Sequence, residues 1–408
     1  MIKAVILAGG NGVRMNPLTL TRPKPLMPVV NKTIIEHNLD QLEGLVKEVI
    51  IVIGYKGDMI KSLIGDNYGK IKVSYVVQEH QLGTADAAKQ AVHLLEDKFI
   101  LMNGDDLYFR EDIKKCLKKY PSILVGRVTT PSFFGVVDCY NDFVRGLIEK
   151  PETSDPNVFV NTGFYFLDKS IFDFNIEKSL RGEYEFTDYI KAFILNHRLY
   201  FRETDKWIPV SYPWNLLGAN EFILSSLRRD IRGKVEKGCT INGSVVIEKG
   251  AYIKSGTYIE GPAFIRSGAI IGPNAYIRGK TVVGENTRIG ANVEIKNSMI
   301  GNNTFIPHLS YVGDSIIGDN CNIGAGSIMA NFRFDQSSIK VMIKDEMVDS
   351  GREKLGVVIG NNSSIGVNSS LMPGVLIGSD SIVGPHSLVK KNVVQGSKYF
   401  SEFGESIK

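Results

Sequence analysis

The chain has few cysteines and no long apolar run, and each absence excludes a class of protein. Four cysteines occur in 408 residues, at Cys116, Cys139, Cys239 and Cys321, and no two form a C-x-x-C pair. This excludes a zinc site built on paired cysteines and favours a reducing, cytoplasmic setting. No apolar run approaches the roughly 18 residues that span a bilayer, so we expect no membrane partner. The apolar stretch at the N-terminus is too short for a signal peptide.

Net charge is also too low to indicate a nucleic-acid partner. The chain carries +4 over 408 residues, and no Lys/Arg run in it exceeds two residues. A nucleic-acid interface needs clustered positive charge. The 43% hydrophobic and 23% charged residues are those of a globular protein, and the length allows two or three domains.

Glycine is the informative excess, and it divides the chain into two halves with different periods. Of 41 glycines, 22 lie between Val235 and Val394. Before about residue 210, short apolar runs alternate with helical patterns. Strands are predicted at Ile2–Leu7, Glu48–Ile53, Val73–Val77 and Phe99–Met102, and helices at Ile34–Leu45 and Thr84–Leu95. This alternation predicts a mostly parallel α/β sheet covered on both faces.

After Lys234 aliphatic residues recur every six positions, which fits neither a helix nor an ordinary strand. One short strand and one tight turn per repeat predict a β-solenoid, with three repeats in each triangular coil. The period slips by one residue before Ile300 and again before Ile317. The periodic positions are Val235, Ile241, Ile247, Ile253, Ile259, Ile265, Ile271, Ile277, Val283, Ile289, Ile295, Ile300, Ile306, Val312, Ile317, Ile323, Met329, Ile359, Ile365, Leu371, Ile377, Val383 and Val389. Periodicity alone leaves a purely structural scaffold open.

These patterns predict four segments. Residues 1–212 form an α/β domain, residues 213–233 a linker helix capped by Gly233, residues 234–394 the solenoid, and residues 395–408 a C-terminal tail. The polar stretch 333–357 interrupts the repeat, and we expect it to be a loop thrown out of the solenoid, where binding faces often lie.

A glycine loop follows the first strand, in the sequence LAGGNGVRMNPLTLTRPKPLMPV from Leu7 to Val29. Gly9, Gly10 and Gly12 allow the backbone to approach a ligand and point N–H groups at phosphates. Arg14 and Lys24 add positive charge to the same loop. The spacing G-G-x-G-x-R followed by P-K-P differs from the G-x-x-x-x-G-K-[ST] of a P-loop, which argues against simple ATPase chemistry.

This segment resembles the signature of the sugar-1-phosphate nucleotidylyltransferases. Three further stretches strengthen the resemblance: QEHQLGT ending at Thr84, Asn103-Gly104-Asp105, and Glu149-Lys150-Pro151 followed by Asn161-Thr162-Gly163. With its solenoid, the whole chain resembles archaeal proteins that join this activity to an amino-sugar-1-phosphate N-acetyltransferase. They are similar to the bacterial bifunctional enzyme that makes UDP-N-acetylglucosamine. The resemblance implies a Rossmann-like nucleotidyltransferase domain followed by a left-handed parallel β-helix of hexapeptide repeats.

The resemblance also implies roles for individual residues in the first domain. The nucleotide would contact Leu7, Ala8, Gly9, Gly10, Gly12, Gln78, Gly83 and Thr84. Arg14 and Lys24 would hold phosphates and serve catalysis. The sugar phosphate would contact Gly135, Glu149 and Asn161. Asp105 would bind Mg²⁺. In such a reaction a sugar phosphate attacks the α-phosphorus of a nucleoside triphosphate, and charge neutralisation supplies most of the catalysis.

The sequence departs from the family pattern at the second metal ligand. Family members carry W-x-D-[VI]-G-x-P near the end of this domain, whereas this chain has the run from Trp207 to Pro213, WIPVSYP. Pro209 replaces the aspartate and has no side-chain oxygen, so the metal would depend more on water and substrate phosphates. Val13 replaces the usual threonine after Gly12. A first domain that binds a sugar nucleotide without transferring it is therefore an alternative.

Charged and polar exceptions in the apolar solenoid predict a second site. Arg278 and Lys296 are separated by three full hexapeptides, which stacks them in neighbouring coils, and His308 follows two hexapeptides after Lys296. The bifunctional family has such a column at matching intervals, which implies His308 as the catalytic base. It implies Arg278, Lys296, Tyr311 and Asn322 for the amino-sugar phosphate, and Ala325 and Asn331 for acetyl-CoA. A neutral histidine is a suitable base for an amine attacking a thioester. In the family this site lies between the subunits of a homotrimer.

Two further functions remain open from the sequence. One is a nucleotidylyltransferase with a regulatory solenoid, as in ADP-glucose and GDP-mannose pyrophosphorylases. The other is a non-enzymatic assembly subunit, like the nucleotidyltransferase-like chains of the translation-initiation exchange factor. Those relatives lack the set Arg278, Lys296, His308 and Asn331, so its presence favours acetyl transfer. The nucleotide, UTP or dTTP, and the sugar, glucosamine- or galactosamine-1-phosphate, are left open.

Overall fold

A computed structural model describes residues 2–153, 155–179 and 181–401 of the chain. Its contacts divide the chain into two compact units. The N-terminal unit comprises Met1–Asn11, Arg22–Met27 and Lys32–Val210. The C-terminal unit comprises Gly12–Thr21, Pro28–Asn31 and Ser211–Lys408.

The described residues of the N-terminal unit form a ten-stranded sheet. Its strands in chain order are β1 (Lys3–Ala8), β2 (Glu48–Ile53), β3 (Asn67–Tyr68), β4 (Ile71–Val77), β5 (Lys98–Asn103), β6 (Ser122–Gly126), β7 (Gly135–Tyr140), β8 (Phe143–Glu149), β9 (Phe159–Asp168) and β10 (Tyr200–Glu203). Their order across the sheet is β3-β4-β2-β1-β5-β9-β6-β10-β8-β7. The four strands predicted from apolar runs are confirmed as β1, β2, β4 and β5, and they pair with one another in parallel.

The sheet as a whole is mixed, which corrects the prediction of a mostly parallel one. β9 runs antiparallel to β5 and to β6, and β8 runs antiparallel to β7 and to β10. β7 and β8 are joined by the two residues Asn141 and Asp142, both with positive φ, and so short a connection allows only an antiparallel pair. Two apolar clusters of buried residues, one containing Ile6 and one containing Val5, lie on opposite faces of β1.

The described α-helices number six, five in the N-terminal unit and one in the C-terminal unit. They are Ile34–Leu42, Gly57–Ile64, Thr84–Gln90, Arg110–Leu117, Phe186–Ile194 and Asn215–Ser225. Short 3₁₀ helices lie at Val13–Met15, Leu18–Leu20, Lys24–Leu26, Val92–Leu94, Pro131–Phe133 and Lys169–Asp173. The helix at Ile34 starts because Thr33 and Glu36 form a capping box. None of the described helices combines the length and the apolar character that a membrane crossing needs.

The C-terminal unit is a parallel β-helix of three sheets, as the six-residue repeat predicts. Within the described residues, sheet 1 holds Asp230–Ile231, Val245–Ile247, Ala263–Ile265, Thr281–Val283, Met299–Ile300, Ile316–Ile317, Val358–Ile359 and Leu376–Ile377. Sheet 2 holds Lys234–Val235, Tyr252–Ile253, Ile270–Ile271, Arg288–Ala291, Phe305–His308, Asn322–Ile323, Ser364–Ile365, Ile382–Val383 and Lys398–Tyr399. Sheet 3 holds Thr240–Asn242, Tyr258–Glu260, Tyr276–Arg278, Glu294–Lys296, Tyr311–Gly313, Ile328–Met329, Ser370–Leu371 and Leu388–Val389.

The strand register confirms the phase slips read from the sequence. Ile253 pairs with Ile271, an interval of three full hexapeptides, whereas the interval from Ile289 to its partner Ile306 is shorter by one residue. The coils after Val283 keep this shorter length until the insertion, where Ile317 pairs with Ile359. The repeating aliphatic side chains form one continuous buried cluster along the inside of the β-helix. Burial of each such side chain contributes roughly 1.5–3 kcal/mol. The aliphatic side chains therefore stay stacked on one another even where a coil is one residue shorter.

Stretch 333–357 does not project as a free loop, which corrects that prediction. It contains an antiparallel hairpin, Lys340–Ile343 with Glu346–Asp349. Ile339, Val341 and Ile343 alternate along it and are buried, and a side chain at Gly374 would approach Ile339 and Val341. The period-2 alternation of these three aliphatic residues packs one face of the hairpin onto the coil.

The helix between the halves spans Asn215–Ser225, so Gly233 does not cap it. Gly233 has a different function, because a Cβ there would lie 2.6 Å from Ile247 and 2.8 Å from the Ala251 carbonyl. Only glycine lets the chain pass this close to the first coil. In the predicted tail, Lys398–Tyr399 pairs with Ile382–Val383 as a further strand. The rest of the tail, 402–408, lies outside the described residues.

Candidate functional site

The glycine loop leaves the sheet where three parallel strands end. Leu7 pairs with Asn103, and Ala8 pairs with Ile53, so the carboxyl ends of β1, β2 and β5 meet at one edge. Ligands of open α/β sheets bind at this edge. Gly9 is buried, while Gly10 is exposed and a side chain there would meet no described atom within 4 Å. The backbone predicted to bind a nucleotide thus has open space beside it.

Gln78 and Gly83 lie together in the N-terminal unit. The Nε2 of Gln78 donates to the carbonyl oxygen of Gly83 at 3.1 Å and to a carboxylate oxygen of Asp86 at 2.8 Å. Gly83 has φ +118°, and a Cβ there would collide with the backbone of Tyr184, so this position requires glycine. Thr84 begins the next helix, and its hydroxyl accepts from the N–H of Phe186. Sequence reasoning missed Asp86.

Lys24 and Asp105 form an ion pair, with Nζ 2.6 Å from Oδ2. The lysine side chain is 9% exposed, whereas the aspartate is 37% exposed. The predicted phosphate ligand and the predicted metal ligand are therefore in direct contact. Because the carboxylate remains partly accessible, a cation from solvent can reach Asp105, whereas the ammonium of Lys24 is covered.

Asp106 points into the protein rather than beside Asp105. It is 7% exposed, and its carboxylate accepts the N–H of Val210 at 3.0 Å. Leu107 and Ile208 exchange backbone hydrogen bonds of 3.0 and 3.1 Å, so the stretch containing Pro209 is held alongside the end of β5. Burial, reinforced by the charge of Asp105, raises the pKa of Asp106 to about 7.

The residues around Asp105 fit a magnesium ion that takes most of its ligands from elsewhere. Among the described residues, no three His, Cys, Asp or Glu side chains cluster as a metal site. Mg²⁺ keeps several waters and is bound through one or two carboxylates plus substrate phosphates. Asp105 supplies one carboxylate, and Pro209 offers no side-chain oxygen. The donor set is sufficient only when phosphates are present.

Gly135, Glu149 and Asn161 lie together where β7 pairs with β8 and with β9. A Cβ at Gly135 would lie 3.0 Å from a carboxylate oxygen of Glu149 and 3.7 Å from the Cβ of Asn161. Glu149 also accepts from the hydroxyl of Thr187 at 3.2 Å, and it forms ion pairs with Arg181 at 3.4 Å and with Lys150 at 3.9 Å. Burial and the nearby Glu185 raise the pKa of Glu149, which Arg181 opposes. The predicted sugar residues are thus one cluster, and Arg181 and Thr187 are additional members that sequence reasoning missed.

Gly12 and Arg14 belong by their contacts to the C-terminal unit. The Gly12 carbonyl accepts from the hydroxyl of Thr19 at 2.9 Å. The guanidinium of Arg14 lies 5.7 Å from the ring centre of Tyr212, within cation–π range. Arg14 is exposed, so its side chain can reach a ligand.

In the β-helix, sheet 3 aligns the predicted basic column. Arg278 pairs with Lys296, and Lys296 pairs with Gly313, on successive strands. The Nε of Arg278 lies 2.7 Å from a carboxylate oxygen of Glu294. Tyr311 begins the next strand, and burial raises the pKa of its hydroxyl. The spacing of three hexapeptides therefore placed the two cations correctly beside each other.

Asp314 connects most of this group, and sequence reasoning missed it. Its carboxylate, on a side chain only 4% exposed, accepts from Lys296 at 2.7 Å, from Asn331 at 2.5 Å and from Asn297 at 2.7 Å. The Nδ2 of Asn331 also lies 3.2 Å from the Tyr311 hydroxyl. The signal was present, since Asp314 follows Lys296 at the same interval by which Lys296 follows Arg278. We call Lys296, Tyr311, Asp314 and Asn331 the Asp314 cluster.

His308, Asn322 and Ala325 lie on sheet 2 or at its end, one corner away from the Asp314 cluster. His308 is exposed at the end of Phe305–His308, and Leu309-Ser310 leads from it to Tyr311. Asn322 is also exposed, on the neighbouring strand. The N–H of Gly326 donates to the His308 carbonyl at 3.2 Å, and that of Gly324 donates to Ile365 at 2.7 Å. Those two N–H groups are therefore not free to stabilise the negative charge that a thioester carbonyl oxygen develops when an amine attacks it.

Arg352, in the insertion, is a further cation in the C-terminal unit. Its backbone N–H donates to Ser350, and its carbonyl accepts from Ile339. Its Nε is buried with no hydrogen-bond partner in the described part of the chain. Burial lowers the pKa of Arg352, and the negative charge of Asp314 opposes that change. Sequence reasoning had left this arginine among the polar residues of the insertion.

Three protein families match consecutive parts of the chain. Residues 3–226 match the Nucleotidyl transferase family. Residues 259–353 match the GMPPB C-terminal domain, and residues 356–391 match the Bacterial transferase hexapeptide family, with six repeats. The first match covers more than half of the chain.

Comparison with individual proteins finds relatives along almost the whole chain. The Bifunctional protein GlmU of Methanococcus maripaludis (strain C7) is 44% identical, covering 91% of this chain and 90% of its own. A Bifunctional sugar-1-phosphate nucleotidylyltransferase/acetyltransferase of Sulfurisphaera tokodaii is 37% identical, covering 91% and 93%. A solved structure of a putative glucose-1-phosphate thymidylyltransferase from Bacillus anthracis, in complex with a sucrose, covers 54% of this chain and 95% of its own. Its TM-score is 0.50 at 25% identity. The chain therefore belongs to the family of bifunctional sugar-1-phosphate nucleotidylyltransferase/acetyltransferase enzymes.

Proposed function

We propose that this enzyme acetylates glucosamine-1-phosphate or galactosamine-1-phosphate with acetyl-CoA. We further propose that it transfers a nucleotidyl group from UTP or dTTP to a sugar-1-phosphate, giving a nucleotide sugar such as UDP-N-acetylglucosamine. Acetyl transfer is assigned to the β-helix and nucleotidyl transfer to residues 1–212.

One observation carries the proposal, namely the polar group on sheet 3 one corner from an exposed histidine. Arg278 and Lys296 lie on successive strands, and the Asp314 cluster continues from Lys296. Nothing in the stacking of the coils requires these side chains, because the stability of a β-helix comes from its apolar interior. Two cations, a phenol and an amide together suit a sugar phosphate.

The acetyl transfer follows from these residues. The amine of the sugar attacks the thioester carbonyl of acetyl-CoA, the new N–C bond forms, and the C–S bond breaks. His308 accepts the proton that the nitrogen loses, and that proton leaves with the thiolate of coenzyme A. Arg278, Lys296, Tyr311 and Asn322 hold the sugar phosphate. Ala325 and Asn331 contact acetyl-CoA.

The nucleotidyl transfer places a sugar-phosphate oxygen in line with the α-phosphorus of the nucleoside triphosphate, and pyrophosphate leaves. A bound Mg²⁺, with Asp105 as its protein ligand, would neutralise phosphate charge. Lys24 and Arg14 neutralise further charge, while the backbone from Leu7 to Gly12, with Gln78, Gly83 and Thr84, binds the nucleotide. Gly135, Glu149 and Asn161 hold the sugar.

The same proposal includes a homotrimer in the cytoplasm. A site built on the outside of a β-helix is open on one side, and a neighbouring copy would close it beside Asn331. Acetyl-CoA and nucleoside triphosphates are cytoplasmic metabolites, and they are the substrates that both reactions require.

A nucleotidylyltransferase whose β-helix is regulatory is the second candidate. The match of residues 259–353 to the GMPPB C-terminal domain favours it. A third reading, acetyl transfer by a protein whose first domain no longer transfers nucleotides, is favoured by Pro209.

One assay separates these readings. Purified protein is given acetyl-CoA, UTP or dTTP, and glucosamine- or galactosamine-1-phosphate, while free thiol and pyrophosphate are followed separately. We expect both products. Pyrophosphate without thiol would favour the regulatory β-helix, and thiol without pyrophosphate would favour the degenerate first domain. Neither product with any pair of substrates would overturn the proposal.

A further inference from the structure

The side-chain amide of Gln78 is held in one orientation by the protein. The residue is 4% exposed, and both hydrogens of its Nε2 are used, one by the Gly83 carbonyl and one by the Asp86 carboxylate. A carbonyl and an ionised carboxylate can only accept hydrogen bonds. Turning the amide over would place Oε1 against both acceptors. The orientation is therefore set before a ligand arrives.

The oxygen of the same amide faces the glycine loop. A Cβ at Gly9 would lie 3.0 Å from Oε1 of Gln78, so this oxygen lies directly against the backbone of Gly9. Among the described residues, no group donates a hydrogen bond to it. At this edge of the sheet Gln78 thus presents an acceptor and no donor.

Asp86 makes few other contacts in the described part of the fold. It lies in the first turn of the helix Thr84–Gln90, and its second carboxylate oxygen lies 3.5 Å from Nε2 of Gln90. In the described part of the chain it forms no ion pair within 4 Å. Its strongest contact is the 2.8 Å hydrogen bond from Gln78.

We propose that Asp86 is a specificity-determining positioning residue, which makes Gln78 select a nucleobase with a ring N–H beside a carbonyl. Uracil and thymine have this N–H, whereas cytosine has a ring nitrogen that can only accept. Two acceptors would then face each other, and a site whose polar group is left unpaired discriminates strongly. The inference rests on the proposed nucleotide site and names the residue that would set its choice of base.

The test compares UTP with CTP, which differ only at ring positions 3 and 4. Binding of each nucleotide is measured by calorimetry, and pyrophosphate release is measured with the sugar phosphate present. We expect wild-type protein to prefer UTP by roughly 10²-fold in both measurements. In Asp86→Asn the new amide can donate to a turned Gln78, so the preference should fall at least about tenfold. Gln90→Ala, which removes the other contact of Asp86, should keep the preference of the wild type.

The outcomes separate this inference from the proposed function. Equal binding of UTP and CTP to the wild type would overturn the inference. So would a loss of affinity in Asp86→Asn that is the same factor for UTP as for CTP. Selective binding of UTP without pyrophosphate release would leave the inference intact and refute nucleotidyl transfer. Pyrophosphate release with both nucleotides at one rate would refute the inference alone.

Discussion

Replacing Asp106 by asparagine should stabilise the protein at neutral and alkaline pH but not in acid. The carboxyl is 7% exposed, and its pKa rises from an ordinary 3.8 to about 7 because burial and Asp105 disfavour its charge. A raised pKa means that the folded state binds the proton more tightly than the unfolded state. Stability is therefore lost as pH rises from about 4 to about 7, and the loss is complete above that range.

The size of the effect follows from the same pKa. A tenfold difference in proton affinity corresponds to about 1.4 kcal/mol, so the full loss is on the order of 4 kcal/mol above pH 7. Asparagine does not titrate, and its Oδ1 can still accept the N–H of Val210, now 3.0 Å from Asp106. Between pH 5 and pH 8, the free energy of unfolding of the wild type should fall by roughly 2–3 kcal/mol more than that of the variant.

Urea unfolding at pH 5 and pH 8 measures this difference. The chain has two tryptophans, and a Trp214→Phe background leaves Trp207, which is buried in the N-terminal unit, as the only reporter. Asp112→Asn is the matched control, because Asp112 is also buried but is paired with Lys115 at 2.8 Å. That control should lose stability at both pH values. If the free energy of unfolding changes by the same amount between pH 5 and pH 8 in the wild type and in Asp106→Asn, the reasoning is refuted.

Three further outcomes are expected. His308→Ala should lower acetyl transfer roughly 10²- to 10⁴-fold and leave pyrophosphate release unchanged, as thiol and pyrophosphate assays would show; normal thiol release would remove His308 from the mechanism. Pro209→Asp, with Ser211→Gly to restore the local turn, should raise the rate of pyrophosphate release at low Mg²⁺, and an unchanged rate would mean that another group completes the metal site. Light scattering should show a trimer, and a monomer that still acetylates would contradict a site shared between subunits.

The regular features of the fold could be predicted because they depend on neighbouring residues. Aliphatic side chains at every sixth position determine both the β-helix and its shortened coils, since a change of a single residue in coil length shifts the whole ladder. The hairpin of the insertion was missed because Ile339 and Val341 are short signals inside a charged stretch. The role of Gly233 was missed because its close contact is with Ile247, in a coil that forms only after the chain turns back.

The candidate sites divide in the same way, between groups that would touch a substrate and groups that hold them. The family signature indicates Lys24, Asp105, Gln78 and His308 directly. Asp106 and Asp86 carry no signature, because their partners, Val210 and Gln78, are found only from the packing. A buried carboxylate can be recognised as a positioning group only when its donors are known.

Asp314 shows what such a partner changes in the chemistry of a site. From the sequence, Lys296 is one of two cations available for a phosphate. In the structure its ammonium already lies 2.7 Å from the Asp314 carboxylate, and Arg278 is similarly paired with Glu294. A sugar phosphate that binds these cations must share them with two carboxylates, so the pair contributes geometry more than net charge. Arg352, whose Nε has no partner among the described residues, retains an uncompensated donor in the same unit. The two cations of the hexapeptide column, by contrast, each meet a substrate with a carboxylate oxygen already at 2.7 Å.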